Sequence, residues 1–421
     1  MVVEKLPIGT NLALYQFLWM LVSGALHDSR GALFPALQAI GLNEAEVRRA
    51  WAAFRYGAWS IEGLLLNWQR HVAGQAHWQA HQYAGYFVKA VDLTAYWRPT
   101  LKGIKSQHYD ARADKALPAV VFGLVGRVGQ VGEQRLALLT NLLRAELSEP
   151  SEMALQTKLL KQVAQELADD EMPVFDAGFK LKALAEADVP RFVVRLAKNF
   201  TARRNFLPDY TGGRPPEYDA LVRPLPRAYT GQLIEATPPD RVQTWQYRGL
   251  EFRAEFWDDL VLPECKPSAN NKTFSVAAIY DPRFKEPWLL ASPLKLNGPD
   301  WWGLYHDRWP IEQVPLAAKH MVGAHRQFVF AQESCYRLPE LSLLAGSIQS
   351  YLAATLPPIP AGFWDRQPKS TPGRLRRWLA RTTFSDLSPL AQSQFRKKAS
   401  VTDHLPKGVL GHRRSKQLTV T

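Results

Sequence analysis

The N-terminal part of the chain has the spacing of apolar residues that is typical of helices. Apolar positions recur three and four residues apart in two successive segments. Asn43 and Glu46 have the pattern of a capping box at the start of the first segment, and Gly57 favours its end. Ser60 can cap the second segment. We therefore predict a helical region over residues 1–82 that ends in a helix, a short turn and a helix.

Beyond this region the pattern changes to short apolar runs, which are typical of buried strands. Residues 83–207 predict three strands, a helix, a strand, a helix and a strand, in that order. The predicted ranges are 86–92, 119–125 and 135–143 for the strands, 153–167 for the helix, 172–176 for a strand, 181–187 for a helix and 191–196 for a strand. This order of elements indicates an α/β fold class.

The second half of the chain begins with a different composition. Seven prolines lie between residues 208 and 239, which indicates an irregular segment. The strand pattern then returns at residues 244–256, 274–280 and 288–291, and the helical pattern at 304–332, 339–352 and 374–381. We therefore predict a β-rich insertion over residues 208–300, a helical completion of the core over 301–360 and a basic C-terminal region over 361–421.

Charge and composition indicate a folded protein with an anionic partner. The chain has 421 residues, enough for two or three domains, and 46% of them are hydrophobic. The formal net charge is +13, and residues 371–421 contribute +9 of it, with eleven Lys or Arg against two Asp. Such an excess favours a polyanion that is bound through its phosphates.

Cysteines and apolar segments bear on the compartment. Cys265 and Cys335 are far apart and lack a CxxC spacing, which favours a reducing compartment such as the cytoplasm. The most apolar N-terminal stretch, residues 12–26, is interrupted by Gln16 and Ser23. It falls short of the roughly 20 apolar residues that a membrane span requires, so we predict a buried helix and no membrane partner.

Two aspartates follow apolar runs that we predict as strands. Asp92 ends the run at residues 86–92, and Asp176 ends the run at residues 172–176. Phosphoryl transfer on nucleic acids uses two divalent cations held by carboxylate oxygens. Both aspartates are therefore candidate metal ligands, although a single aspartate at a strand end is more often a turn or cap residue.

A third carboxylate belongs to a set of four polar side chains with helical spacing. Tyr305, Arg308, Glu312 and Lys319 are separated by two, three and six residues. At about 100° per residue, all four lie within roughly 60° of one another on a helix. A carboxylate beside two cations and a phenol can bind a metal and hold a phosphate. Pro315 predicts a kink within this segment, because it removes a backbone hydrogen bond.

These motifs resemble the DDE insertion-sequence transposases of the cut-and-paste type, whose Tyr, Arg, Glu, Lys signature has the same spacing. The likeness includes VDLT at residues 91–94, FDAGF at 175–179, FVVR at 192–195 and RWPIE at 308–312. It extends over about residues 85–335. The resemblance implies a ribonuclease-H-like catalytic core, interrupted by the β-rich insertion.

The resemblance also implies roles for the members of these motifs. The acidic residues would hold two Mg²⁺ ions, which Mn²⁺ can replace: Asp92, Asp176 and Glu312. The remaining members of the signature would bind DNA phosphates beside the cut: Tyr305, Arg308 and Lys319. The expected activity is metal-dependent cleavage at transposon ends and strand transfer into target DNA. We expect double-stranded DNA as the partner, a homodimer on that DNA, and association with the nucleoid in the cytoplasm.

Other residues are candidates for further DNA contacts. The insertion would stack a flipped base, with Trp288 as the expected residue and Trp301 or Trp302 as alternatives. The second N-terminal helix would contact DNA through Asn67, Gln69 and Arg70, unless the two helices are an ordinary helical pair. The loop after Asp92 carries three basic residues that either contact DNA or only aid solubility: Arg98, Lys102 and Lys105. The basic C-terminal region would bind the DNA backbone.

Other interpretations of the sequence remain open. His77 and His81 are spaced as on one helical turn and, with His71, raise the possibility of zinc, although a third ligand of clear spacing is missing. A ribonuclease-H-like nuclease that cuts without joining is a second enzymatic alternative. A domesticated transposase retained only for DNA binding is the non-enzymatic alternative, and the three acids count against it.

Overall fold

The computed structural model describes residues 2–3, 6–7, 10–148, 152–207, 212, 216–380 and 382–383. The basic tail beyond residue 383 and part of the proline-rich segment, for which we predicted DNA binding and irregular structure, lie outside the described residues. The helices are α1 Thr10–Val22, α2 Ala25–Asp28, α3 Leu33–Ala39, α4 Glu44–Tyr56, α5 Ile61–Ala73, α6 Glu152–Glu166, α7 Leu181–Glu186, α8 Gly298–His306, α9 Pro310–Leu316, α10 Gln332–Thr355 and α11 Pro372–Leu379. A π-helical segment, Ala317–Met321, follows α9.

Strands alternate with these helices along the chain. They are β1 Trp78–Ala80, β2 Gln82–Tyr83, β3 Tyr86–Trp97, β4 Gln107–Asp110, β5 Lys115–Val131, β6 Gln134–Arg144, β7 Glu171–Phe175, β8 Val193–Arg195, β9 Ala202–Arg204, β10 Leu221–Val222, β11 Arg227–Tyr229, β12 Gln232–Ile234, β13 Arg241–Tyr247, β14 Leu250–Val261, β15 Phe274–Tyr280 and β16 Trp288–Ser292. The fold is of the α/β class, as predicted.

Fourteen strands of the described chain form one mixed sheet. Its order is β1-β5-β3-β7-β8-β16-β15-β14-β9-β10, with β6 beside β5 and β13 beside β14. The strands β3, β7 and β8 are parallel, whereas β5 and β6 run antiparallel to their neighbours. The β-rich region continues this sheet, because β16 pairs antiparallel with β8. The proposed domain boundaries remain predictions.

Both faces of the central sheet are buried, so side chains alternate between two cores. Val88 and Ala90 of β3 join the core that contains the N-terminal helices and α10. Val91, one residue further, points to the opposite core, which contains apolar residues of α6 and α7. Because side chains on a strand repeat every two residues, Asp92 lies on the same face as Ala90, towards α9 and α10.

The N-terminal helices have the capping that the sequence predicts. Asn43 and Glu46 form a capping box on α4, which ends at Gly57, and the Ser60 hydroxyl caps α5. The apolar stretch around residues 12–26 contains α1, most of which is buried. None of the helices in the described ranges combines the length and the hydropathy that crossing a bilayer requires.

Two predicted elements differ from the structure. Residues 244–256 were predicted as one strand but belong to the hairpin β13–β14, which turns at Arg248 and Gly249, both with positive φ. The predicted helix over residues 304–332 is divided into α8, α9 and the π-helical segment, residues 322–331 are not helical, and residue 332 already belongs to α10. Pro315 lies in the last turn of α9, two residues before this π-helical segment, in keeping with the predicted kink.

Candidate active site

Asp92 and Asp176 lie on neighbouring parallel strands. Ala90 of β3 is opposite Val174 of β7, so the two aspartates, each two residues further on, occupy corresponding positions. Neighbouring strands are about 4.8 Å apart, which brings the two side chains to one place. Asp176 directly follows β7, as predicted. Asp92 does not end its strand, because the strand-forming residues after it extend β3 to Trp97.

Backbone groups orient both carboxylates. The Leu93 amide donates a hydrogen bond to Asp92 Oδ1 at 2.9 Å. The Gly178 amide donates to Asp176 Oδ1, also at 2.9 Å. A Cβ atom at Gly178 would lie only 3.0 Å from the same oxygen, so the absence of a side chain at this position permits the tight turn.

Arg308 lies between two of the candidate acids. It belongs to the short break between α8 and α9, and only 6% of the residue is exposed. Its Nη1 atom is 3.9 Å from Asp92 Oδ2, and its Nη2 atom donates a hydrogen bond to Glu312 Oε1. Glu312 is on the first turn of α9, with 40% of its side chain exposed. One guanidinium thus links a strand carboxylate to a helix carboxylate.

The electrostatics of Asp92 show that the three acids share one environment. The pKa of Asp92 is raised to about 7, chiefly by burial and in smaller part by the negative charges of Asp176 and Glu312, while Arg308 and the hydrogen bond from the Leu93 amide oppose the rise. A carboxyl with a raised pKa is one whose negative charge is insufficiently compensated. Additional positive charge at this place would therefore stabilise the ionised form of Asp92.

Lys319 approaches the same strand from the π-helical segment. Its Nζ atom donates a hydrogen bond to Thr94 Oγ1 at 2.9 Å and lies 5.4 Å and 5.1 Å from the ring centres of Tyr96 and Trp97. Burial lowers the pKa of Lys319 to about 8, and the charge of Asp92 opposes this shift. The ammonium group is thus held near the acids by β3 itself.

Tyr305 and Trp288 are packed in the interior. Tyr305 is 1% exposed and Trp288 is 4% exposed, and their ring centres are 5.2 Å apart. The guanidinium groups of Arg195 and Arg308 lie about 6 Å from the Tyr305 ring centre. Trp288 therefore does not have the exposed ring that base stacking requires. The alternatives Trp301 and Trp302 are buried as well.

The acids have the oxygen donors that suit a hard divalent cation. In this conformation, however, no three acidic, histidine or cysteine side chains of the described residues are arranged to hold a metal ion. At this site Arg308 donates a hydrogen bond to Glu312 and lies 3.9 Å from Asp92, so it is the counter-ion of both carboxylates. Metal binding would require Glu312 to exchange this ion pair for the cation.

The three basic residues predicted to contact DNA from the loop after Asp92 differ in how far they are buried. Arg98 is buried, and its guanidinium donates hydrogen bonds to Gln327 Oε1 at 3.1 Å and to the Val329 carbonyl at 2.6 Å. Neither predicted role of Arg98, as a DNA contact or a surface charge, fits this burial. Lys102 and Lys105 are exposed, so DNA contact by these two lysines remains a prediction.

Among the polar residues predicted to contact DNA from the second N-terminal helix, two have partners within the protein and one is exposed. The side chain of Asn67 donates to the Val2 carbonyl at 3.0 Å, and that of Gln69 donates to the Thr140 carbonyl at 3.1 Å. Both amide groups therefore hold α5 against the rest of the fold. Arg70 is exposed and remains a candidate for a DNA contact.

The three histidines considered for zinc do not form a helical ligand pair. His77 and His81 flank the short strand β1, so they are not one helical turn apart. The Nε2 atom of His77 lies 2.6 Å from the hydroxyl of Tyr351. The Nδ1 atom of His81 lies 2.6 Å from Oδ2 of Asp307. His77 and His81 therefore each have a hydrogen-bond partner in the protein.

The sequence did not reveal the role of Asp307, which directly precedes Arg308. Its carboxylate is fully buried and contacts His81 at 2.6 Å, Tyr83 at 3.1 Å and Arg135 at 3.1 Å. These partners come from distant segments, so spacing gave no signal of the contact. Thr94 could have been found, because it repeats the face of Asp92 two residues further along the strand.

Comparisons with known proteins add no family assignment. No model of a known protein family matches the chain, and no curated protein matches it. The functional interpretation therefore rests on the site and on the sequence motifs.

Proposed function

We propose that this chain is a DDE transposase, an enzyme that cuts DNA at transposon ends and joins those ends to target DNA with divalent cations. The observation that carries the proposal is geometric: β3 and β7 place Asp92 and Asp176 at corresponding positions, and Arg308 links Asp92 to Glu312. One acid lies on a strand, one directly follows a strand and one lies on a helix, and the first and the last are more than 200 residues apart along the chain. Like charges that lie near a partly buried carboxylate are costly to the fold and are typical of functional sites.

Arg308 supports a phosphate ligand at this place. Its Nε and Nη1 atoms are buried, and neither has a hydrogen-bond acceptor among the described residues. Buried charged donors without acceptors are unfavourable. A phosphodiester oxygen beside the acids would satisfy these donors, and Lys319, whose charge acts on Asp92, would be a second cation for the same phosphate.

The arrangement of elements supports the ribonuclease-H-like core that the sequence motifs imply. Apart from the additional short strand β4, the chain order β3, β5, β6, α6, β7, α7, β8 repeats the predicted order of strands and helices. In the sheet, β3 is central between β5 and β7, which is where the first acid of such a core belongs. The second acid then follows the neighbouring parallel strand.

The chemistry follows from the side chains. Asp92, Asp176 and Glu312 would hold two Mg²⁺ ions, or Mn²⁺ in their place. When bound, such ions supply Lewis acidity at the attacking and leaving oxygens of phosphoryl transfer. Arg308 and Lys319 would hold the scissile phosphate and offset its charge. We further propose double-stranded DNA as the substrate and target, a homodimer on paired ends, and a location at the nucleoid.

The test uses the full chain and linear DNA that carries the sequences flanking its own gene. With Mg²⁺ or Mn²⁺, we expect strand cleavage at a defined position and, with pre-cut ends, covalent joining to a target plasmid. Asp92→Asn, Asp176→Asn and Glu312→Gln should each abolish both reactions while DNA binding persists. The matched control is Glu44→Gln, which alters an exposed ion pair on α4.

The outcomes separate the rival functions. Cleavage without joining of pre-cut ends would identify a nuclease. Binding without cleavage under any divalent cation would favour a protein retained for DNA binding. Normal cleavage by the Glu312→Gln variant would refute the assignment of the acids.

A further inference from the structure

A short extended segment lies between the π-helical segment and α10 and presents aromatic rings to solvent. We call residues 325–330 the aromatic strap. Gln327 and Val329 are buried at 8% and 2% exposure, whereas Phe328 and Phe330 are exposed at 60% and 69%. Alternation of this kind places every second side chain outward. Two outward phenylalanines therefore stand next to each other on one edge of the strap.

Arg98 holds the strap in this orientation from below. Its two hydrogen bonds go to Gln327 and to the Val329 carbonyl, the inward-facing residues. Its guanidinium also lies 5.8 Å from the ring centre of Phe330. Exposed phenylalanines on a free loop would turn inward to escape water. Here a buried cation fixes the backbone so that the rings remain outside.

The strap begins at a cationic cavity. The cavity has a volume of about 400 Å³ and is lined by His27, Asp28, Arg30, Gly323, His325 and Arg326. Arg376 lies 3.4 Å from Asp28 and compensates the single carboxylate of the lining. Neither Arg30 nor Arg326 has an ion-pair partner within the described ranges, so the cavity carries uncompensated positive charge.

The cavity is shaped by close approach of two backbones. Gly323 has a φ of +94°, and a Cβ atom there would lie 2.4 Å from the Cα atom of His27. Gly31 approaches the strap as closely, since a Cβ atom there would lie 2.6 Å from the Arg326 carbonyl oxygen. The strap is thus seated on the N-terminal helical region and is a built feature of the fold.

We propose that the aromatic strap binds a single-stranded or unpaired stretch of nucleic acid, with phosphates in the cationic cavity and bases stacked on Phe328 and Phe330. Cations interleaved with exposed rings are the combination by which proteins hold single strands. The uncompensated cations favour this occupant over an apolar protein segment. The His325 Nδ1 atom lies 2.6 Å from the Lys319 carbonyl oxygen, which joins the strap to the candidate active site.

The identity of the polymer rests on the proposed function, but the binding can be measured without it. The probe is a fluorescent oligothymidylate, with a second oligonucleotide that contains 2-aminopurine, and both are titrated into the full chain without divalent cations. We expect Phe328→Ala and Phe330→Ala each to weaken binding about tenfold and to reduce the quenching of 2-aminopurine. Phe328→Trp should preserve both properties, whereas Phe328→Leu should not, because leucine keeps hydrophobicity but loses the flat ring.

Two controls complete the design. Leu233→Ala removes a side chain that is 65% exposed on the separate hairpin β11–β12, and it should leave oligonucleotide binding unchanged. Arg326→Gln should reduce the dependence of binding on salt, since one phosphate contact contributes a slope of about 0.7 for single strands.

The proposal fails if both alanine variants bind the oligonucleotides as the native chain does. It also fails if leucine substitutes fully for phenylalanine, or if the alanine variants change only self-association, because the strap would then be a protein contact. Loss of cleavage in the acid variants does not affect these metal-free measurements. Failure of the strap and failure of the proposed enzyme are therefore distinguishable.

Discussion

The ammonium group of Lys319 donates a hydrogen bond to the Thr94 hydroxyl at 2.9 Å. Thr94 is two residues beyond Asp92 and lies on the same face of β3. This contact fixes the π-helical segment against the strand that carries the first acid. The position of the cation relative to the acids is therefore set by β3 and does not depend on a straight helix from Tyr305 to Lys319.

Phosphate binding by Lys319 should depend on pH. Its pKa of about 8 lies below the ordinary value, so the charged form is lost as the pH rises through 8. We expect affinity for a short DNA duplex to fall about tenfold between about pH 7 and 9.5. Lys319→Arg should remove this fall, because arginine stays charged. The measurement is fluorescence anisotropy without metal, with Lys102→Arg as the control, and an unchanged pH profile in Lys319→Arg would contradict the prediction.

Ionisation of Asp92 should destabilise the fold in the absence of metal. Its pKa rises from 3.8 to about 7 on folding, so ionisation of this carboxyl lowers the free energy of unfolding. The loss is absent below pH 3.8, grows as the pH rises towards 7 and is complete above about pH 7. Asp92→Asn should therefore raise the free energy of unfolding at about pH 8 by at most about 4 kcal/mol, and by much less near pH 4. Denaturant titrations at both pH values measure the difference.

Divalent cations provide a second measurement on the same residue. Mg²⁺ or Mn²⁺ should raise the melting temperature of the native chain at about pH 8, since a ligand that binds the folded state stabilises it. The Asp92→Asn variant should lose most of this response. Equal responses of the two proteins would place the cations elsewhere.

Local signals in the sequence predicted the strands better than their ends. The apolar run Phe274–Tyr280 was predicted with its observed bounds, and it pairs with a strand on each side. The hairpin β13–β14 was missed, because Arg248 and Gly249 form a turn without interrupting the alternation. Asp92 was placed at a strand end, although the residues up to Trp97 also favour a strand. Local pattern identifies an element, while its end depends on the partner strand.

The neighbourhood of two candidate acids was predictable from the strand order. Asp92 and Asp176 were chosen because each belongs to an apolar run predicted as a strand, and the parallel pairing of β3 and β7 places them at corresponding positions. Metal binding by these acids and Glu312 remains a prediction. The burial of Arg98 and Trp288 was not predictable, because it depends on segments more than 200 residues away or on the packing of several rings. From residue type alone, Arg98 was predicted as a surface cation and Trp288 as an exposed ring for base stacking.

Gly346 on α10 should be essential for the position of Lys319. A Cβ atom at Gly346 would lie 2.9 Å from both the Val314 carbonyl oxygen and the Ala318 amide nitrogen. Both are backbone atoms around the π-helical segment and cannot move independently of it. Gly346→Val should lower the free energy of unfolding by about 1 to 3 kcal/mol. It should also reduce cleavage more than DNA binding, whereas Ser350→Ala, one turn further on, should leave cleavage nearly unchanged.

Asp307 should stabilise the break between α8 and α9, from which Arg308 reaches the acids. Its fully buried carboxylate accepts hydrogen bonds from Tyr83 and Arg135 and contacts His81. Replacing it with leucine would leave Arg135 without its buried counter-ion, which typically costs about 3 to 5 kcal/mol. Asp307→Asn keeps the shape but loses the charge, so we expect a smaller loss of unfolding free energy.

Comparing the unfolding free energies of Asp307→Leu and Asp307→Asn tests whether the charge or the shape of the Asp307 side chain matters more. Urea denaturation near neutral pH measures both, with Glu44→Gln as an exposed control of unchanged stability. If Asp307 holds the break through its charge, Asp307→Asn should also weaken phosphate binding by Arg308, because the turn that orients the guanidinium is no longer fixed. An Asp307→Asn variant with native stability and native phosphate affinity would mean that the surrounding helices hold the break without it.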